Sequence, residues 1–276
     1  MWKNLKALFG LVDPQVASAA AAPPTDGEQT VGRATRILPG HGSIEPDPLV
    51  FGFNPPPPPI TYPGEPPFAP LWIDASESPF GIRVLDCRSV AHRMISTSKS
   101  PEVLNYFASQ EAIRGEQFHS ATPANPQAFA LDMSFSGCRI PETEGPVYLA
   151  QVMEDKWDIF RFGDALFFVR SWSGTLVHRA RFAAPNGELV ITEVSTEASG
   201  GSSDTELREI TRREIDFLLR THLRRERVPA PLAPGGAGSL ALESVAMVAF
   251  VRFGRWASYA TEADTTRVTW RDQRLS

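Results

Sequence analysis

One stretch decides the fold of this chain: residues 156–182, KWDIFRFGDALFFVRSWSGTLVHRARF. It holds two Trp, five Phe and four Arg, and the dipeptides Gly163-Asp164 and Ser173-Gly174 divide it. Glycine beside a small polar residue is typical of tight hairpin turns. Strands joined by such short turns must pair antiparallel, because a parallel crossover needs about a dozen residues or more. The stretch therefore predicts three consecutive antiparallel strands.

The pattern continues on both sides of this stretch. Apolar alternation predicts strands over residues 80–87, 129–135, 147–153, 157–162, 165–171, 175–182 and 188–195. Ser100 followed by Pro101 is typical of a helix start. A second helix is predicted over residues 204–227, where acids gather early and arginines late, as the helix dipole favours. We expect an α+β fold, an antiparallel meander of about five to seven strands with two or three helices, in one domain over residues 71–276.

Strand register sorts the side chains of this meander into two faces. With a two-residue loop, the first turn places Trp157 opposite Arg170. The second turn, with a loop of the same length, places Phe168 opposite Arg179. Side chains alternate between faces, so one face is predicted to be core and to carry Phe160, Phe162, Phe167, Val169, Leu176, Ala180 and Phe182. The opposite face is the predicted binding face, and its candidate residues are Trp157, Arg161, Phe168, Arg170, Arg179 and Arg181.

Two interpretations of this binding face stay open. If it is exposed, guanidinium groups among aromatic rings suit an acidic protein surface, a phosphate-bearing ligand or single-stranded nucleic acid. Alternatively, the acid-rich helix over residues 204–227 covers the face, and the arginines pair with it at the rim. The second arrangement is the usual one in α+β folds, because helices generally cover sheet faces.

Proline dominates the chain before residue 71. Fifteen of the 25 prolines lie in residues 1–70, and proline removes backbone donors and fixes φ. We therefore expect a disordered Ala/Pro-rich arm over residues 1–70. Residues 53–70 suit either a stiff polyproline spacer, which we favour, or a ligand for an SH3- or WW-type domain. Residues 1–12 offer a short amphipathic contact for a membrane surface or a partner, although fraying is the favoured outcome.

Composition excludes several protein classes. A net charge of −5 argues against a protein whose main task is to coat nucleic acid. Two cysteines, Cys87 and Cys138, are too few for a disulfide framework and suit a reducing compartment. The most apolar late segment, residues 240–256, is interrupted by Glu243 and Arg252 well short of the ~20 residues that a bilayer requires. We expect a cytoplasmic protein.

Catalytic signals are weak in this sequence. No nucleophile-elbow, P-loop, zinc-protease or paired Cys-x-x-Cys motif occurs, and the five histidines show no metal-ligand spacing. We therefore predict no cofactor and no metal. The leading hypothesis is a non-catalytic interaction protein that presents its partly basic binding face to an acidic protein or a phosphate-bearing partner. The alternatives are an enzyme that uses dispersed residues near Asp86, Cys87 and Glu154, and an adaptor whose proline-rich arm is the functional part.

Overall fold

The computed structural model describes residues 62–96, 101–108, 114–138, 140–198, 203–235, 238 and 240–271. All of these residues belong to one compact unit. Most of the predicted arm, including residues 1–12 and the proline run at residues 55–59, lies outside the described residues. No helix among the described residues is both long and apolar enough to cross a membrane.

Ten strands and four α-helices lie within the described residues. The strands are β1 (Leu71–Ile73), β2 (Val84–Asp86), β3 (Pro126–Phe135), β4 (Gly145–Tyr148), β5 (Trp157–Phe162), β6 (Ala165–Arg170), β7 (Thr175–Ala183), β8 (Leu189–Glu197), β9 (Ala230–Pro231) and β10 (Tyr259–Thr261). The helices are α1 (Arg88–Ala91), α2 (Pro101–Ala108), α3 (Asp204–Leu218) and α4 (Leu242–Phe253). The α+β class is therefore confirmed.

The larger sheet is the predicted meander. Its strand order is β3-β8-β7-β6-β5-β4, and every pair is antiparallel. The smaller sheet has the order β1-β2-β10-β9, in which β9 and β10 are parallel. The sequence did not predict this second sheet, because its strands are only two or three residues long and β10 pairs with strands that lie far from it in the chain.

The first hairpin has the predicted register and the second does not. Phe162 pairs with Ala165 and Trp157 pairs with Arg170, as a two-residue loop requires. The second turn spans four residues, 171–174, and the pairing shifts at Val177. Such an extra residue is a β-bulge, which moves the following side chains to the other face. Phe168 therefore pairs with His178 rather than with Arg179.

Two helices cover one face of the larger sheet. The face carrying Trp157 and Phe168 packs against Ile215 of α3 and against Ala249 and Phe253 of α4. Helix α3 begins with a capping box, in which Ser203 and Glu206 bind each other's backbone N–H groups. The face is therefore covered, as the second interpretation expects, but among the described residues none of the predicted arginines forms an ion pair with the helix over residues 204–227.

The opposite face of the sheet carries a second apolar cluster. Phe160, Phe162 and Phe167 lie there with Phe118 and Leu149, and all five side chains are buried. This confirms the core face predicted for β5 and β6. Both faces of the central strands are thus excluded from water.

A third cluster joins the smaller sheet to residues before it. Tyr62 packs edge-on against Tyr259 at 4.9 Å, Trp270 at 5.2 Å and Phe80 at 6.5 Å between ring centroids. The backbone carbonyl of Pro63 accepts a hydrogen bond from Arg88 at 2.9 Å. Packed structure therefore begins no later than Tyr62, ahead of the boundary predicted at residue 71.

Candidate arginine–aromatic site

The aromatic residues of the predicted binding face are core residues. Trp157 is 1% exposed and Phe168 is 0% exposed beneath α3 and α4. The Trp157 indole Nε1 donates a hydrogen bond to the backbone carbonyl of Arg252 at 2.7 Å. A ring buried in this way cannot contact a partner, so the predicted binding role of both residues is wrong.

Arg170 lies opposite Trp157 as predicted, but it acts within the protein. Its guanidinium carbon is 4.8 Å from the Trp157 ring centroid. Its two terminal nitrogens donate to the backbone carbonyls of Arg252 at 2.5 Å and Val251 at 2.7 Å, which belong to the last turn of α4. Burial and the nearby Arg252 lower the pKa of Arg170 to about 9. Arg170 therefore satisfies helix-end carbonyls that would otherwise lack donors.

The remaining three predicted residues do not share a face with Trp157 and Phe168 as one exposed set. Arg161 donates to the backbone carbonyl of Pro141 at 2.9 Å. The bulge moves Arg179 and Arg181 to the opposite face, where Arg179 lies over an aromatic ring. Arg181 forms a half-exposed ion pair with Asp164 at 2.7 Å. The six predicted residues therefore form no common site.

A buried charge network occupies the covered face in their place. Glu214 of α3 accepts hydrogen bonds from Arg252 of α4, at 2.6 Å for the nearest terminal nitrogen, and lies 3.2 Å from His178 of β7. The other ring nitrogen of His178 is 2.7 Å from the Thr196 hydroxyl. Burial alone would raise the pKa of Glu214, but Arg252 and the His178 hydrogen bond lower it to about 2. This network fastens both helices to the sheet.

Acid should weaken the fold through Glu214. Because the pKa of Glu214 in the folded protein is lowered from 4.5, its ionised carboxylate stabilises the fold above about pH 4.5. This stabilisation is lost as the pH falls towards 2. The unfolding free energies of the wild type and Glu214→Gln should therefore differ by about 2–3 kcal/mol less at pH 2 than at pH 5. Urea denaturation at both pH values measures this, with the exposed Glu193→Gln as the control. A constant difference would show that Glu214 is not held ionised by its neighbours.

The residues of the alternative enzyme hypothesis are poorly placed for catalysis. Cys87 is fully buried, and burial together with the Asp86 charge raises the pKa of its thiol far above neutral. The carboxylate of Asp86 is occupied by Arg88 at 2.7 Å. Glu154 accepts the backbone N–H of Ser96 at 2.8 Å. Since a thiolate is the reactive form, Cys87 is not a nucleophile in this environment.

A different combination of arginine and aromatic rings lies after the end of α3. We call it the Arg227 pocket, a depression of about 120 Å³ lined by Arg220, Glu226, Arg227, Thr269 and Trp270. The Arg227 guanidinium lies 5.0 Å from the Trp270 ring centroid and 5.8 Å from that of Tyr62. No carboxylate among the described residues forms an ion pair with Arg227.

The end of α3 explains why Arg227 turns back towards the chain. The helix continues as a π-helical turn, Leu219–Leu223, and Arg225 then adopts a left-handed conformation with φ 61°. The N–H of Glu226 consequently donates to the carbonyl of Arg220 at 2.8 Å. A π-helical turn is rare and often marks functional positions. Here it places Arg227 above the aromatic cluster.

Buried Arg220 fixes the opposite wall of the pocket. Its terminal nitrogens donate to the backbone carbonyls of Thr265 at 2.7 Å and Val268 at 2.5 Å. These bonds hold the segment that carries Trp270. The sequence predicted the late arginines of this helix as partners of its dipole; the structure shows that Arg220 binds main-chain carbonyls instead.

The charges around the pocket leave an excess of positive charge. The Glu226 carboxylate is bound by Arg220 and Arg224, each at 2.6 Å. Burial raises the pKa of the neighbouring Asp216 to about 6, although Arg220 opposes this. The Glu226 carboxylate is thus satisfied within the protein, whereas Arg227 contacts aromatic rings and no carboxylate within the described ranges. The arrangement suits an anion from outside.

Sequence reasoning missed this pocket because its parts are distant in the chain. Tyr62 lies in the segment predicted as arm, Arg227 ends the predicted helix, and Trp270 lies far beyond both along the chain. No local spacing relates them. The arginine cluster at the end of the helix was the one available signal.

Comparison with known proteins adds no functional assignment. No protein-family model, no curated protein and no solved structure matches the chain. Among the described residues, no group of His, Cys, Asp or Glu side chains is arranged to hold a metal ion. Function therefore has to be argued from the geometry of the chain itself.

Proposed function

We propose that this chain is an interaction protein whose Arg227 pocket binds a carboxylate side chain of an acidic partner protein. The observation that supports this is a guanidinium with no ion-pair partner among the described residues, lying against two aromatic rings beside an open depression. The proposal keeps the partner class expected from the sequence and places its site away from the sheet face.

The chemistry of stacked arginine favours this ligand. A guanidinium that contacts aromatic rings with its face keeps its N–H groups free at its edge, where they match a carboxylate. Because Tyr62 and Trp270 hold the side chain, less conformational entropy is lost when the ligand binds. A depression of about 120 Å³ accommodates a carboxylate group but not a folded element. We therefore expect one acidic side chain to enter while the rest of the partner contacts the rim.

The proposal predicts a specific loss of binding in Arg227→Ala. A hydrogen bond to a charged group contributes about 1.5–3 kcal/mol, which corresponds to roughly 10–100-fold in Kd. Fluorescence anisotropy with a fluorescein-labelled hexaglutamate peptide measures this change. Arg267→Ala is the matched control, since it removes the same charge from an exposed arginine that does not line the pocket. Rising salt should weaken wild-type binding.

Three outcomes would overturn the proposal. Equal weakening in Arg227→Ala and Arg267→Ala would show that net charge alone attracts the peptide. An absence of saturable binding by the wild type would show that the pocket takes no carboxylate. Tighter binding of a labelled oligothymidine would assign the site to single-stranded nucleic acid. Thermal melts of both variants verify that the fold is intact.

Two further expectations stay predictions. An SH3- or WW-type partner for residues 53–70 is compatible with the exposed Phe68, 93% accessible among prolines, while residues 53–61 lie outside the described residues. A cytoplasmic location is compatible with Cys87 and Cys138, which are free and buried.

A further inference from the structure

A buried lysine contacts a serine hydroxyl beside the start of β5. The lysine is Lys156, which is 6% exposed. Its amine Nζ lies 2.8 Å from the hydroxyl of half-buried Ser96 and 2.5 Å from the backbone carbonyl of Met153. The amine also lies over the Trp172 ring, 4.3 Å from its centroid. A lysine is almost never buried without a functional or structural reason.

The loops that carry these groups are fixed by hydrogen bonds. The Ser96 N–H donates to the Glu154 carboxylate at 2.8 Å, which ties the serine to the turn before β5. The Trp172 indole donates to the Met153 carbonyl at 2.8 Å. Ser96 and Lys156 are therefore held together by backbone anchors as well as by their own contact.

The surroundings of Lys156 make part of its amine neutral near physiological pH and most of it neutral above about pH 8. Burial and the nearby Arg170 lower the pKa of Lys156 to about 8, while Glu154 and Asp155 act in the opposite direction. A neutral amine has two N–H groups and one lone pair. It can donate to the Met153 carbonyl and at the same time accept a hydrogen bond from the Ser96 hydroxyl. That is the arrangement of a serine nucleophile and its base.

We propose that Ser96 is an acyl-accepting nucleophile and Lys156 its general base, and that the pair hydrolyses esters of apolar acyl groups. The 2.8 Å contact between Lys156 Nζ and the Ser96 hydroxyl supports the pairing of base and nucleophile. Exposed apolar side chains nearby favour a substrate with an apolar acyl group. Ile95, 79% exposed, precedes Ser96, and the exposed Val152 lies in the turn that carries Glu154. This activity goes beyond the proposed binding function and is independent of the Arg227 pocket.

The reaction balances without a cofactor. The Ser96 oxygen forms a bond to the ester carbonyl carbon while its proton passes to the Lys156 amine. The bond from that carbon to the alcohol oxygen then breaks, and the alcohol leaves with the proton from the Lys156 ammonium. Water attacks the acyl-serine in the second half, Lys156 again takes and returns the proton, and the carboxylic acid is released.

The test uses p-nitrophenyl butyrate and the full chain. The wild type should release p-nitrophenolate and carry one butyryl group on Ser96, located by peptide mass spectrometry. Removing the nucleophile in Ser96→Ala should lower the rate at least about 100-fold, whereas Ser173→Ala, an exposed serine in the 171–174 turn, should leave it unchanged. Lys156→Met should no longer release p-nitrophenolate, and its thermal melt should show that it is folded. The wild-type rate should rise with pH around a midpoint near 8.

Other results would overturn the assignment. A butyryl group on Lys156 would make the lysine the nucleophile. An unchanged rate in Ser96→Ala, or no acylation of the wild type, would make the pair a structural contact that joins two loops. Ser96→Ala and Ser173→Ala each remove one hydroxyl oxygen. Thermal melts of the two variants therefore show whether a loss of rate in Ser96→Ala comes from a loss of folding. The esterase rate and the binding of hexaglutamate are measured separately on the same wild-type protein, so failure of one result leaves the other standing.

Discussion

Replacing Phe167 with alanine should lower the free energy of unfolding by about 3–5 kcal/mol, the range of buried phenylalanine truncations. Phe167 is fully buried in the middle strand pair and packs edge-on against Phe162 at 5.8 Å between ring centroids. Strands on both sides fix its backbone, so the neighbouring side chains cannot collapse into the space it leaves. Such a loss is a large part of a typical folding free energy of roughly 5–15 kcal/mol.

Phe68→Ala is the matched control for this experiment. It removes the same ring from a position that is 93% exposed, so its effect should lie within about 0.5 kcal/mol of zero. Urea denaturation of both variants gives the comparison. If Phe167→Ala costs no more than Phe68→Ala, the cluster around Phe167 is not a core.

The first hairpin could be predicted from sequence because its register is set locally. Gly163 adopts a φ of 57°, which glycine allows, and the two-residue loop leaves one pairing for the flanking strands. Every pair along β5 and β6 follows from that turn. The core face of these two strands can therefore be assigned from the amino-acid sequence alone.

The second hairpin could not be predicted in the same way. The dipeptide Ser173-Gly174 lies within a four-residue turn, and the bulge at Val177 then shifts the pairing by one residue. The shift turns His178 towards the helices, where Glu214 meets it. That contact involves residues 36 positions apart, so the turn sequence carries no information about it.

The helix over residues 204–227 illustrates a related limit. Its cap and its Asp216–Arg220 pair follow from spacing along the helix. The role of Arg213 does not, since it donates to backbone carbonyls of Leu232, Thr261 and Ala263. An arginine that binds main-chain oxygens looks the same in sequence as one that faces water. For this reason the Arg227 pocket, which is built partly from the end of this helix, can be recognised only from the tertiary structure.

Gly254→Ala adds only a methyl group but should lower the free energy of unfolding by more than about 4 kcal/mol. Few single substitutions reach this range. Gly254 follows α4 with φ 63° and ψ −143°, a conformation essentially restricted to glycine. A methyl group there would overlap the backbone carbonyl oxygen of Glu154. The close approach lets the N–H of Arg255 donate to that same carbonyl at 3.1 Å and brings its guanidinium to Asp155.

Gly174→Ala separates the two causes of this loss. Gly174 also has a positive φ, 64°, but a methyl group there meets no atom within 4 Å. It should therefore cost only the backbone strain of about 1–2 kcal/mol. Urea denaturation measures the unfolding free energy of both variants. The amount by which Gly254→Ala loses more than Gly174→Ala is then the cost of separating α4 from the turn before β5. Equal losses in the two variants would mean that this turn moves freely, in which case Lys156 and Ser96 would lose the rigid support on which the proposed esterase activity rests.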